Sequence, residues 1–133
     1  MTGVESKCMD DTARIRGYRD LIVWQRAMEL VPSVYGLSNR LPKEEQFGLI
    51  SQIRRAAVSV PANIAEGQAR EGSKAFSNHL SIARGSLAEL DTLLLLAVRL
   101  GYLMEPDLAA VTAQIIEVRR LLQGLLRTLL TRD

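Results

Sequence analysis

The chain of 133 residues has one cysteine, one histidine, one tryptophan, two phenylalanines and three tyrosines, and each scarcity excludes something. Cys8 has no second thiol to pair with, so no internal disulfide braces the fold and a reducing, cytoplasmic setting is expected. His79 stands alone, whereas bundle di-iron sites need a Glu-x-x-His pair on each of two helices, so no metal and no cofactor is expected. Aromatics at 5% leave few platforms on which bases could stack. The longest strongly apolar run, residues 93–98, stops at Arg99, well short of the roughly 18 residues that span a bilayer. Glu5, Asp10 and Asp11 interrupt the first segment, so neither a secretory leader nor membrane attachment is expected. Seventeen Lys and Arg against fifteen Asp and Glu give a net charge of +2. That balance permits an anionic partner without demanding one.

What is abundant is apolar residue, 47% of the chain, at helical spacing. A chain of this length buries about two-thirds of the surface it exposes when unfolded, enough for one core. Residues 1–17 mix glycine, serine and charge without periodicity and read as a flexible tail; residues 18–133 read as one domain. From Asp20, a good N-cap, the residues Leu21, Trp24, Met28, Val31 and Tyr35, flanked by Ala27, Leu30, Val34 and Leu37, predict a helix over 20–40, bent at Pro32. Phe47, Ile50, Ile53, Ala57, Val60 and Ile64 predict a second over 43–70, bent at Pro61. Gly67 or Gly72 is suited to a left-handed terminus, and Ser73 to the N-cap of a third helix with the seam Phe76, Leu80, Ala83, Leu87, Leu90, Leu94 and Ala97. Gly101 closes that helix. Pro106 suits the first turn of a fourth, whose seam is Leu108, Val111, Ile115, Val118, Leu122, Leu125 and Leu129.

Short connections between four such segments predict an all-α, antiparallel up-down-up-down four-helix bundle. Helix four carries Ile116, Leu121, Leu126 and Leu130 off its seam, and Leu93, Leu95, Leu96 and Val98 widen helix three. This surplus predicts a homo-oligomer. On that reading Leu126→Glu dissociates the assembly and leaves a helical monomer.

Reactive chemistry finds no constellation. His79 on a helix reads as a boundary residue, and Cys8 as an ordinary thiol with nothing nearby to lower its pKa. Gly67 to Lys74 has the glycine spacing of a phosphate-binding loop, but it ends Ser-Lys where that loop needs Lys then Ser or Thr, and it follows a helix instead of a strand. No catalytic function and no small-molecule substrate are expected.

The unusual stretch is 52–70, where Gln52, Arg55, Ser59, Asn63, Glu66 and Arg70 recur at steps of three or four among Ala56, Ala57, Ala62 and Ala65. Small residues let a second backbone approach closely. A structural reading has Ser59 and Asn63 satisfying carbonyls freed by Pro61, with Glu66 paired to Arg70. A functional reading makes Arg54, Arg55, Arg70, Lys74 and Arg84 a surface for an anionic partner, with Gln52, Ser59, Asn63, Glu66 and Gly67 as its polar frame.

Three stretches carry a resemblance. These are Tyr18-Arg19-Asp20-Leu21 with Trp24, then Gln52-x-x-Arg55-Ala56-Ala57-x-Ser59-x-x-x-Asn63-Ile64-Ala65-Glu66-Gly67, then Ile82-Ala83-Arg84-Gly85-Ser86-Leu87-x-Glu89-Leu90. Over residues 18–103 the chain resembles the 23S rRNA intervening-sequence protein family, also called the S23 or four-helix-bundle protein family. The resemblance implies a four-helix bundle assembled as a pentamer. It also implies kinship with the accessory variability determinants of diversity-generating retroelements, basic barrels that associate with a reverse transcriptase and nucleic acid. This chain is less basic than that branch: segments 20–41, 43–71 and 104–133 each balance to zero charge. The expected function is a non-catalytic oligomeric scaffold that binds RNA or a ribonucleoprotein or reverse-transcriptase-like partner. The alternative is a protein–protein adaptor that binds no nucleic acid.

Overall fold

The structure, a computed structural model, describes residues 16–132. Among them are four α-helices and no strand: α1 (Ile22–Ser38), α2 (Leu49–Ala69), α3 (Ser73–Arg99) and α4 (Ala109–Arg132). Short 3₁₀ turns at Tyr18–Asp20, Lys43–Glu45 and Glu105–Leu108 precede α1, α2 and α4. The all-α class agrees with the periodicity. Of the tail expected over 1–17, residues 1–15 lie outside the described span. Arg16 and Gly17 are tied to the first turn through Arg16 N–H to Asp20 Oδ2 at 3.0 Å and Asp20 N–H to the Gly17 carbonyl at 3.1 Å.

The helices begin and end differently from expectation at several points. Asp20 is not the N-cap of α1; it lies in the preceding turn, and Leu21 takes the cap position. The second helix starts at Leu49, not at residue 43, because Lys43–Glu45 form a separate turn and Gly48 breaks the helical backbone at φ −113° and ψ −107°. Glu45 Oε1 then accepts the Leu49 N–H at 3.0 Å, doing the work of a cap from outside the helix. Ser73 is the first residue of α3, and Gly72, at φ +103°, makes the turn before it. Gly101 ends α3 at φ +84°, with Tyr102 N–H on the Ala97 carbonyl at 2.9 Å and Gly101 N–H on the Val98 carbonyl at 3.0 Å. This is the double bond pattern that lets glycine close a helix.

Each helix packs against two neighbours: α1 on α2 and α4, and α3 on α2 and α4. The core takes Ala27, Leu30, Val34 and Leu37 from α1, while Met28 and Tyr35, expected to lead that seam, are exposed. From α2 it takes Ile50, Ile53, Ala57, Val60 and Ile64; from α3, Leu80 to Ala97 in the predicted four-and-three steps. In α4 the seam runs through Leu126 instead of Leu125, which is only partly buried. The placement of Leu126 in the core corrects its assignment to an outer face. A step of four from Leu122 keeps 3.6-residue periodicity where a step of three drifts off it. Two of the four prolines sit inside α-helices, Pro32 on the exposed side of α1 and Pro61 on the buried side of α2. No described helix is long and apolar enough to cross a membrane.

Candidate functional site: a polar seam between α2 and α3 and its cations

The polar stripe of α2 faces α3. Ser59 Oγ and Ser86 Oγ lie 2.8 Å apart, and the Asn63 amide donates to the Ser59 carbonyl and to Ser59 Oγ, both at 2.9 Å. With its amide nitrogen committed to Ser59, Asn63 offers Oδ1 to His79 Nδ1 at 3.1 Å. Nδ1 therefore carries the ring proton, and Nε2 faces Glu66 Oε2 at 3.9 Å. Glu66 in turn pairs with Arg70 at 2.9 Å, the i,i+4 arrangement that supports a helix surface. Because Ser59 meets Ser86 and Asn63 meets His79, the two helices run in opposite directions along this seam.

The seam refines the structural reading of the stripe. Pro61 withdraws the N–H that the Ala57 carbonyl would receive. The Asn63 amide goes to the Ser59 carbonyl of its own helix and not to the Ala57 carbonyl, while Asn63 Oδ1 reaches His79 on α3 and ties the two helices together. Gly67 lies buried inside α2, where a Cβ would stand 2.6 Å from His79 Cβ and 3.2 Å from Phe76 Cδ1. Its place in a helix is incompatible with a phosphate-binding loop. Gln52 is exposed at the start of the stripe.

The cations separate into two kinds. Arg54 is held: its Nε donates to Ser38 Oγ at 2.9 Å, its Nη2 to Asn39 Oδ1 at 2.6 Å, and its Cζ lies 4.6 Å from the centroid of the Tyr35 ring. Ser38 is the one fully buried polar residue among the described residues, and its own hydroxyl donates to the Tyr35 carbonyl at 2.9 Å. Arg55, Lys74 and Arg84 are exposed, and none lies within ion-pair distance of a carboxylate among the described residues. Arg70 shares Glu66. The five residues expected to form one anionic-partner surface thus divide into one pinned, one paired and three with no carboxylate partner among the described residues.

Two ties close the connections between helices. Tyr102 OH donates to Glu45 Oε2 at 2.9 Å, and Arg40 pairs with Asp107 at 3.2 Å. The Leu49 amide first, and the Tyr102 hydroxyl second, hold the Glu45 carboxyl below the ordinary carboxylate range; the same bond raises the Tyr102 phenol. Asp107 is held low mainly by the Met104 amide, with Arg40 adding to it. The sequence alone singled out none of Arg40, Glu45, Tyr102 and Asp107. Ser38, His79 and Ser86 acquire their roles only through partners on another helix.

Among the described residues no three His, Cys, Asp or Glu side chains gather as metal ligands, and no buried side-chain N or O lacks a hydrogen-bond partner. The hydroxyls of Ser59 and Ser86 bond each other, and the imidazole bonds an amide. The arrangement is an interhelical tie, with exposed cations on both helices: the molecule is a four-helix all-α protein organised around packing. The chain belongs to the 23S rRNA-intervening sequence protein family, whose sequence model matches residues 19–124. No curated protein matches the chain.

Proposed function

We propose that the chain is a non-catalytic scaffold, an antiparallel up-down-up-down four-helix bundle that self-associates and engages RNA or a ribonucleoprotein partner. Five copies is the number the family resemblance implies. The observation that carries the partner reading is that exposed Arg55, Lys74 and Arg84 have no carboxylate within ion-pair distance among the described residues, a standing they share with exposed Arg19, Lys43, Arg99, Arg119, Arg120 and Arg127, while Arg26, Arg40 and Arg70 are paired. Cations left without protein partners supply phosphate contacts and their salt dependence. Self-association is supported by exposed Leu95, Leu96 and Leu100 on and after α3 and by Leu130 on α4. Surplus apolar surface of this kind is what an association face uses.

The test is binding of a labelled single-stranded RNA against salt concentration, with the native mass of the particle measured before and after nuclease treatment. The expected log–log slope is about −0.7 per phosphate contact. Binding that ignores salt, or that is absent at low salt, overturns the RNA reading. A protein partner retained after nuclease treatment favours the adaptor.

A further inference from the structure

A groove of about 680 Å³ opens where α1 meets the start of α2. Tyr35, Phe47, Ser51, Arg54, Arg55 and Val58 line it, and no carboxylate does. Phe47 was expected in the core, yet it is 91% exposed, the most exposed large apolar side chain among the described residues. The turn before Gly48 holds its ring in water, where it covers none of the core. Arg54 is fixed on the wall by Ser38, Asn39 and the Tyr35 ring, using two of its five N–H groups. A guanidinium already locked in one rotamer loses little freedom when an anion arrives. Arg55 adds a second positive fork with no ion-pair partner among the described residues.

We propose that this groove is a nucleotide subsite for single-stranded RNA, in which a base stacks on Phe47 and Arg54 and Arg55 hold adjoining phosphates. The proposal deepens the RNA reading above and rests on it. An exposed flat ring beside two guanidinium groups matches alternating base and phosphate, and the base must be unpaired to offer its face. A second copy related by a two-fold axis fits poorly, because it would bring the Arg54 and Arg55 pairs of both copies together with no carboxylate in the lining to offset them; a ring of five would set a different surface of the neighbour on the groove, and the native mass of Phe47→Ala reads that case.

The experiment measures fluorescence anisotropy of a labelled ten-nucleotide oligouridylate titrated with the full chain at low and moderate salt. Phe47→Ala should weaken binding about tenfold, the loss of one stacked base, while leaving the unfolding midpoint unchanged because the ring is exposed. Arg55→Gln should weaken binding and reduce the salt slope by about 0.7. Phe47→Trp should retain affinity, with indole emission changing on binding. If the parent protein binds RNA and Phe47→Ala binds equally well, the subsite is wrong while the general RNA reading stands. If the parent binds no RNA at low salt, both fail. If Phe47→Ala changes the native mass and leaves RNA affinity unaltered, the groove holds a neighbouring subunit and the proposal is overturned.

Discussion

His79 on α3 sits directly over Gly67 on α2, so close that a Cβ at position 67 would stand 2.6 Å from His79 Cβ. The contact brings the two backbones together at the end of the seam where Asn63, Glu66 and Arg70 are linked to the imidazole or to each other.

Gly67→Ala tests this contact by its sign. Helix propensity alone favours alanine over glycine by about 1 kcal/mol. The clash opposes it, and forcing a methyl into a filled interface costs about 1–3 kcal/mol. Net destabilisation is expected in urea unfolding. Gly36, also inside a helix, has nothing within 4 Å of where a methyl would stand, so Gly36→Ala should stabilise by about 0.5–1 kcal/mol. Equal effects at the two positions would remove the close approach from the explanation.

Asn63→Leu should cost about 1–3 kcal/mol, since it strips Ser59 Oγ and His79 Nδ1 of a partner in a half-buried seam. Denaturant midpoints of Asn63→Leu, His79→Leu and the double variant give the coupling between the two residues. Strict additivity would show that the hydrogen bond contributes nothing.

Leu126 and Leu130 separate core from outer surface on one helix. Leu126 is 9% exposed and Leu130 72%. Leu126→Glu is therefore expected to unfold the chain, correcting the expectation of a released helical monomer, and even Leu126→Ala should cost about 2–3 kcal/mol. Leu130→Glu should leave subunit stability within about 0.5 kcal/mol and, if α4 lies between subunits, lower the native mass. Circular dichroism with light scattering reads both.

Acid should loosen the ends of the helices first. Glu45 and Asp107 have carboxyl pKa values below their ordinary ones, so each contributes stability that is complete above its unfolded pKa and lost as pH falls through the folded one. Thermal midpoints should drop below about pH 4, and Glu45→Gln, which does not titrate, should flatten part of that fall. Tyr102 shifts upward, so its contribution is present below the ordinary phenol pKa and lost as pH rises through the higher folded value. Tyr102→Phe should blunt the alkaline decline above about pH 10.

Much of this architecture was legible along the chain. The steps of three and four that carry Leu80 to Ala97 predicted α3 residue by residue, and Gly72 and Gly101 mark turns at positive φ, which only glycine adopts freely. Errors gathered at helix beginnings, where Asp20 and Lys43 have the right chemistry for a cap or first turn but lie outside the helices that follow. Phe47 joined the seam by spacing alone, yet its turn carries it into solvent.

The one-dimensional pattern determined that the chain is helical, where it turns, and that its polar residues on α2 share a face, because intrahelical neighbours recur at a fixed period. Tertiary structure decided what that face meets. Arg54 is pinned to Tyr35, Ser38 and Asn39, Asn63 is bonded to His79 sixteen residues away, and Leu126 replaces Leu125 in the core. Those outcomes depend on the relative rotation and offset of separate helices, which packing sets and periodicity within any one helix does not contain.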